Sequence, residues 1–333
     1  MIMKNVRKPL ALIVALSLFA ILLAACADNT PAAPATPADN VPFQIGIIQL
    51  VEHPALCAAR IGFLRAFEEA GIAIEYDYQN AQRDVTTLST IADRFVNNNV
   101  DLVLAIATPS LQTMAAATED IPIVGSAITS YERAGVVDSN EAPGRNVTGA
   151  SDMNPVRAQI EMILEFMPNL QTLGIVYSTN EPNSIYQAEL AMAVAESLGL
   201  AVVTGTVTTT GDVQQNTLSV ANRADAIWIP TDNTHADAMP IVGQVSIDTQ
   251  TPVFPGENNM VMRGGIATLS IDYYALGFQS GQMAIEILTS GGNPATMPIR
   301  FAESYEYIIN GYMIEALGLT IPAQFADYVW FED

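Results

Sequence analysis

Lysine is almost missing from this 333-residue chain: the only two, Lys4 and Lys8, lie at its very start. Their scarcity removes Schiff-base chemistry and phosphate-binding loops of the P-loop kind, both of which need a lysine amine. Histidine is nearly as rare, with His53 and His235 alone. Two imidazoles so far apart in sequence make neither a metal site nor a proton relay without help from carboxylates, so no metal is expected. Cysteine is limited to Cys26 and Cys57. No G-x-S-x-G, G-x-G-x-x-G or zinc-ligand spacing occurs, so no catalytic residue and no cofactor are expected. Positive charge is short as well: 13 basic residues face 35 acidic ones, a net charge of −22. Such a chain is repelled by nucleic acid and by anionic lipid headgroups.

The one long apolar run is Leu10–Ala25, preceded by Lys4, Arg7 and Lys8 and closed by Leu23-Ala24-Ala25-Cys26. A basic start, a short apolar core and small residues before a cleavage point are the parts of a secretory signal. The run is short for a membrane-spanning helix. The cysteine directly after it makes the pattern similar to the bacterial lipoprotein signal, which implies a chain that begins at Cys26 with acyl chains on its thiol. Residues 26–42, rich in Pro, Ala and Thr, read as a flexible tether. Cys57, in the apolar helical stretch Ala55–Phe67, reads as a small buried hydrophobe, with no partner for a disulfide once Cys26 is acylated.

From Phe43 onward short apolar runs alternate with helical periodicity. Phe43–Leu50, Ile72–Tyr78, Leu102–Ile106 and Ile121–Ser126 read as strands, with helices at Pro54–Ala70 and Val85–Asn98 and one opening at Thr108. The pattern restarts with a helix at Pro155–Phe166. Strands follow at Thr172–Tyr177, Ala201–Thr206, Ala226–Pro230 and Pro252–Phe254, separated by helices Asn183–Gly199, Gly211–Arg223 and Thr234–Ile247. A last long helix, Tyr273–Leu288, precedes a strand at Tyr305–Ile309 and a short helix at Ile314–Leu317. Two runs of the same βα grammar predict an α/β protein of two similar lobes, each a doubly wound parallel sheet.

Ligands of such sheets sit beyond the carboxyl ends of the strands, so the polar residues at those turns are the candidates. Thr108 and Ser110 put hydroxyls and free N–H groups at a helix start, a setting for a carboxylate, although helix capping alone also accounts for them. Asp232, between Thr231 and Asn233, is an acceptor for an ammonium group or a plain helix cap. Asn183 and Ser184 offer neutral donors from the second lobe, and Asn183 also suits a cap. Glu52, Asn233 and Glu257 complete the expected cleft contacts. Glu52 and His53 lie in a turn, where sequence alone does not decide which of them faces inward. Of Tyr273 and Tyr274, at least one is expected to pack in the core.

Val51-Glu52-His53-Pro54-Ala55-Leu56, Ala107-Thr108-Pro109, Asn146-Val147-Thr148-Gly149 with Ser151-Asp152, Glu181-Pro182-Asn183-Ser184, Pro230-Thr231-Asp232-Asn233-Thr234 and Asp272-Tyr273-Tyr274-Ala275-Leu276-Gly277 stand in this order along the chain. Together they resemble the tryptophan/tyrosine-type substrate-binding lipoproteins of ABC transporters, over essentially everything after Phe43. The resemblance implies a type I periplasmic-binding fold, with two lobes joined by a three-segment hinge. It places residues 43–148 and 266–297 in lobe 1 and 149–265 and 298–333 in lobe 2, with crossings near 147–151, 259–265 and 297–300. It further implies a non-enzymatic, extracytoplasmic receptor that delivers an amino acid, often an aromatic one, to ABC permease subunits. Cys57 departs from the family pattern, where a polar residue often follows the leucine. Other readings of the same fold stand beside this one: a receptor for a branched-chain amino acid or a nucleoside, or a sensory solute receptor. A surface hydrolase of similar topology is opposed by the shortage of lysine and histidine.

Overall fold

A computed structural model describes residues 41–330. The signal, the acylated Cys26 and the tether up to residue 40, expected at the start of the chain, lie outside the described residues.

The first half builds β1 (Phe43–Gln49), α1 (Pro54–Ala70), β2 (Ile74–Asn80), α2 (Val85–Asn97), β3 (Leu102–Ile106), α3 (Thr108–Ala117), β4 (Ile123–Ile128), α4 (Tyr131–Ala134) and β5 (Val147–Ser151). β3, Leu-Val-Leu-Ala-Ile, is buried at every position, as a strand covered by helices on both faces must be. Then come α5 (Val156–Phe166), β6 (Thr172–Ser178), α6 (Pro182–Ser197), β7 (Ala201–Val207), α7 (Thr210–Ala221), β8 (Ala226–Ile229), α8 (Asn233–Thr249), β9 (Val253–Pro255) and α9 (Asn258–Met262). The chain ends with β10 (Ala267–Ser270), α10 (Tyr273–Ser290), β11 (Arg300–Phe301), β12 (Glu306–Asn310), α11 (Gly311–Ala316) and β13 (Val329–Trp330).

Lobe 1 is a six-stranded sheet in the order β11-β5-β4-β3-β1-β2, and every pairing in it is parallel. Lobe 2 carries a four-stranded parallel sheet, β7-β6-β8-β9, whose order repeats the β2-β1-β3-β4 order of lobe 1. In each lobe the strand order reverses beside the first strand, which opens a crevice at the carboxyl ends. A three-stranded sheet, β10-β12-β13, completes lobe 2.

Strand pairing moves each expected crossing towards the carboxyl end of a strand. β5 stays in the first sheet to Ser151. β10, expected in lobe 1, pairs instead antiparallel with β12, because its Ala267 and the preceding Ile266 belong to the apolar core of lobe 2. The chain crosses only after it, and α10 packs on α1. β11, expected in lobe 2, adds to β5 at the far edge of the first sheet, so the last crossing follows Phe301. Asn154 ties the crossings together: its amide donates to Gly256 O at 2.9 Å, and its Oδ1 accepts from Ile271 N at 3.1 Å.

α1 and α10 pack so closely that side chains are excluded along their seam. A Cβ added at Gly277 would lie 1.9 Å from Ala59 O, and one at Gly62 would lie 2.0 Å from Tyr274 O. Small residues at helical spacing let the two backbones meet. Cys57, expected to be buried, is half-buried, with its Sγ 3.7 Å from Gln49 Nε2.

Candidate functional site

The carboxyl ends of both parallel sheets face a narrow slot between the lobes. Lobe 1 supplies His53, Ala55, Leu56 and Ala127, the crossings supply Asp152 and Tyr273, and lobe 2 supplies Asn183, Thr231, Asp232, Asn233, Ala236 and Glu257. Among these lining residues there is no arginine or lysine, yet three are carboxylic acids.

Four expected site residues therefore line the slot: Asn183, Asp232, Asn233 and Glu257. The other four do not. Glu52 turns outward and accepts a hydrogen bond from Tyr78 OH at 2.9 Å, while His53 is buried in its place. Ser184 lies behind the wall and donates to Asp232 Oδ2. Thr108 and Ser110 are buried outside the lining, and their hydroxyls have no protein partner; the same is true of Ser126 at the end of β4. Nearby, Ala107 and Ala127 hold positive φ of 77° and 58°. Side chains avoid that region, at a cost of about 1–3 kcal/mol each, and such strain gathers where a backbone must face a ligand.

The acids differ in how far the protein compensates their charge. A carboxylate has about four acceptor directions. Asp232 caps α8 and uses three of them: Oδ2 accepts from Ser178 N at 2.7 Å and from Ser184, and Oδ1 accepts from His235 N at 2.8 Å, while His235 Nδ1 lies 2.9 Å away, poorly aligned for a hydrogen bond. Burial alone would raise its pKa, but His235 and the hydrogen bonds from His235 and Ser184 hold it below the ordinary value. Glu257 caps α9 through Met260 N at 2.9 Å and Asn259 N at 2.8 Å, with Asn259 Nδ2 at 3.2 Å. Asp152 has only two partners, Thr129 Oγ1 at 2.9 Å and Tyr273 OH at 3.1 Å. Burial raises Asp152 to about 6 and Glu257 to about 7, and the charge of Asp152 adds to the rise at Glu257. Asp152 has the most acceptor capacity left, and Asp152 and Glu257 are the two lining acids whose charge the protein leaves uncompensated, whereas that of Asp232 is offset by His235 and Ser184.

Two neutral acceptors complete the lining. Asn183 donates its amide to Thr231 O at 3.0 Å, which leaves its buried Oδ1 unpaired. His53 Nε2 meets Asn233 Oδ1 at 2.9 Å across the lobes, which leaves its Nδ1 unpaired. Further contacts join the lobes beside the slot. Arg83 bonds Asp237 at 3.1 Å and Asn233 O at 3.0 Å, and Arg133 bonds Glu189 at 2.7 Å. The lobes are closed on each other.

The expected set of cleft contacts left out His53, Asp152, Thr231, Tyr273 and the aliphatic lining. Asp152 sits just past a strand end, which was a usable signal, but only the hinge path turns it inward.

The model of one protein family, the ABC transporter substrate binding proteins, matches residues 44–329. This chain belongs to that family. A tyrosine-binding protein of Clostridioides difficile is 38% identical over 279 residues, covering 83% of this chain and 81% of that protein. Among solved structures, an ABC domain from Streptococcus pneumonia in complex with L-Trp superposes with a TM-score of 0.84 at 35% identity, covering 87% of this chain and 99% of that one. The ligand-free, open structure of a substrate binding protein with adhesive properties from Clostridium difficile is 37% identical at the same coverage, 87% and 99%, but superposes at only 0.69. At nearly equal identity, the lobes here match the arrangement in the L-Trp complex better than the open one. The family is one of binding proteins and not of enzymes, and its members that serve ABC importers work outside the cytoplasm.

Proposed function

We propose that this protein captures an aromatic amino acid between its lobes and delivers it to the permease of an ABC importer, without catalysis. The observation that carries the reading is a closed inter-lobe slot lined by acceptors: Asp152, Glu257, Asn183 Oδ1 and His53 Nδ1. An enclosed set of acids with no basic partner calls for a ligand that brings positive charge. An α-ammonium does so, with three donors for Asp152, Glu257 and Asn183. Asp232, whose charge His235 and Ser184 already offset, holds the shape of the α8 start and leaves the ammonium to Asp152. The carboxylate goes toward the start of α3, where Thr108, Ser110 and Ser126 hold unpaired hydroxyls and the helix presents N–H groups. Leu56 and the alanines meet the side chain. The tyrosine-binding relative and the L-Trp complex support an aromatic ligand. The tether and lipid on Cys26 would keep the receptor beside its permease.

Thermal unfolding of the purified protein against a panel of amino acids and nucleosides tests this reading. A ligand at 100 times its Kd adds about 2.7 kcal/mol of stability, a rise of several degrees in a domain this size. A rise with tryptophan or tyrosine and not with nucleosides is expected. A rise with nucleosides alone would overturn the ligand class.

The acids also set a pH dependence. Their folded pKa values, about 6 and about 7, lie above the ordinary 3.8 and 4.5, so ionisation of the empty slot costs stability as pH rises through that window. A cationic ligand needs the ionised forms, so affinity runs the other way and falls as pH drops through 7 and 6. Between pH 8 and pH 5 the Kd is expected to weaken by about a hundredfold or more, as linkage to a group titrating near 7 requires. Calorimetric titrations at the two pH values give the ratio, and an unchanged Kd would contradict it.

A further inference from the structure

His53 occupies a position from which its protonation pattern can be read. Glu181, fully buried, accepts from Asn233 N at 3.1 Å, from Asn233 Nδ2, from Thr234 N at 2.9 Å and from Thr234 Oγ1 at 2.7 Å. Four donors converging on one carboxyl make its oxygens acceptors, so the NH₂ of Asn233 must point at Glu181 and the Oδ1 must point away. That Oδ1 is the atom 2.9 Å from His53 Nε2. An amide oxygen only accepts, so Nε2 carries the proton. Burial lowers the His53 pKa to about 4, which leaves the ring neutral at ordinary pH. A neutral imidazole protonated at Nε2 has a bare lone pair at Nδ1. That Nδ1 is buried and unpaired, on a ring that lines the slot and is 7% exposed.

The polar lining of the slot falls into two groups. Asp152, Tyr273 and Glu257 gather at the crossings, where Asp152 raises Glu257 and both raise Tyr273. His53 sits with Asn233 and the Arg83 contacts. An ammonium held by the acids leaves His53 to meet the other end of the ligand. Resting on the amino-acid reading above, we propose that His53 is a specificity-determining residue whose Nδ1 accepts a hydrogen bond from an N–H or O–H on the ligand's aromatic ring. Indole and phenol rings are then selected over a bare phenyl ring. Glu181 and Asn233 are positioning residues: their hydrogen bonds fix the tautomer of the ring that meets the ligand. A buried acceptor left unpaired by the wrong ligand is penalised, whereas one extra methylene in an apolar pocket discriminates weakly.

The test uses the full chain and two ligand pairs that differ only in the ring donor. These are L-tryptophan against its benzothienyl isostere, with sulfur for N–H, and L-tyrosine against L-phenylalanine. The donor-bearing member is expected to bind at least about 30-fold more tightly, and the ratio is expected to fall towards one in His53→Leu. Because the chain has two histidines, ¹⁵N NMR of the imidazoles resolves both rings. It is expected to give His53 as the neutral Nε2–H tautomer, with an Nδ1 resonance that moves when ligand is added. Equal binding within both pairs, an Nδ1–H tautomer, or a ratio preserved in His53→Leu overturns the proposal. The isostere comparison in the unmutated protein decides the matter even if His53→Leu does not fold. Failure of every aromatic amino acid to bind overturns the amino-acid reading as well, whereas equal binding within the pairs removes only the role of His53.

Discussion

Asp152→Asn is expected to weaken amino-acid binding by about a hundred- to a thousandfold while leaving the empty protein at least as stable at pH 8. Truncating one side of a buried charge pair costs about 2–5 kcal/mol of binding, and each 1.4 kcal/mol is about tenfold. The asparagine keeps an oxygen that accepts from Thr129 Oγ1 and turns its NH₂ to the Tyr273 hydroxyl, which then accepts instead of donating, so the crossing keeps its shape. The stability half of the prediction follows from the raised pKa: at pH 8 the empty slot holds an ionised, desolvated carboxylate that the amide replaces without charge. Asp232→Asn should behave in the opposite way. It disturbs the acceptors for Ser178 N, Ser184 and His235 N and the capping of α8, so the loss appears first in the unfolding temperature. Calorimetric Kd values and melting temperatures of the two variants, taken together, separate the binding carboxylate from the structural one. Loss of binding in Asp232→Asn with Asp152→Asn unaffected would reverse the assignment.

Gly277→Val is expected to cost about 4 kcal/mol or more, enough to lower the melting temperature by about 10 °C. The added Cβ would fall 1.9 Å from Ala59 O and 2.7 Å from Ala59 Cα, and both are backbone atoms of α1 that cannot swing aside. Relief requires the two helices to part, which strips contacts from the lobe 1 core at Phe63 and Leu276. Gly71→Ala provides the control. It ends α1 with a φ of 66° and has no neighbour within 4 Å of a built Cβ, so its cost is the modest one of a left-handed residue. Urea midpoints measure both. A Gly277→Val protein as stable as the unmutated one would mean that α1 and α10 do not pack as described.

The fold was legible because its signals are local and repeated. Pro54–Ala70 shows a helix with proline at its start and Gly71 at its end, and β3 shows five apolar residues where both faces are covered. Strand β10 was misassigned because the partner that decides its lobe, β12, lies some forty residues downstream along the chain and pairs antiparallel. The site was legible in part for the same reason. Asp232 and Glu257 follow strand ends in their own lobe, and their capping geometry could be anticipated from local sequence. Asp152 gains its role only from the path between lobes, which periodicity does not encode. At Glu52-His53 the turn left two adjacent residues to choose between, and the choice was made by Asn233, a partner 180 positions away.

The central claim is that the slot recognises an ammonium group through Asp152 and Glu257. The measurement that tests it most directly is calorimetric titration of the protein with L-tryptophan and with indole-3-propionate, which keeps the ring and carboxylate but lacks the ammonium, at pH 6.5 in two buffers of different ionisation enthalpy. The account predicts binding of tryptophan with release of protons, because the ligand drives ionisation of carboxyls titrating at about 6 and about 7, and no measurable binding of the propionate. Equal binding of both compounds, with no proton released, would contradict it.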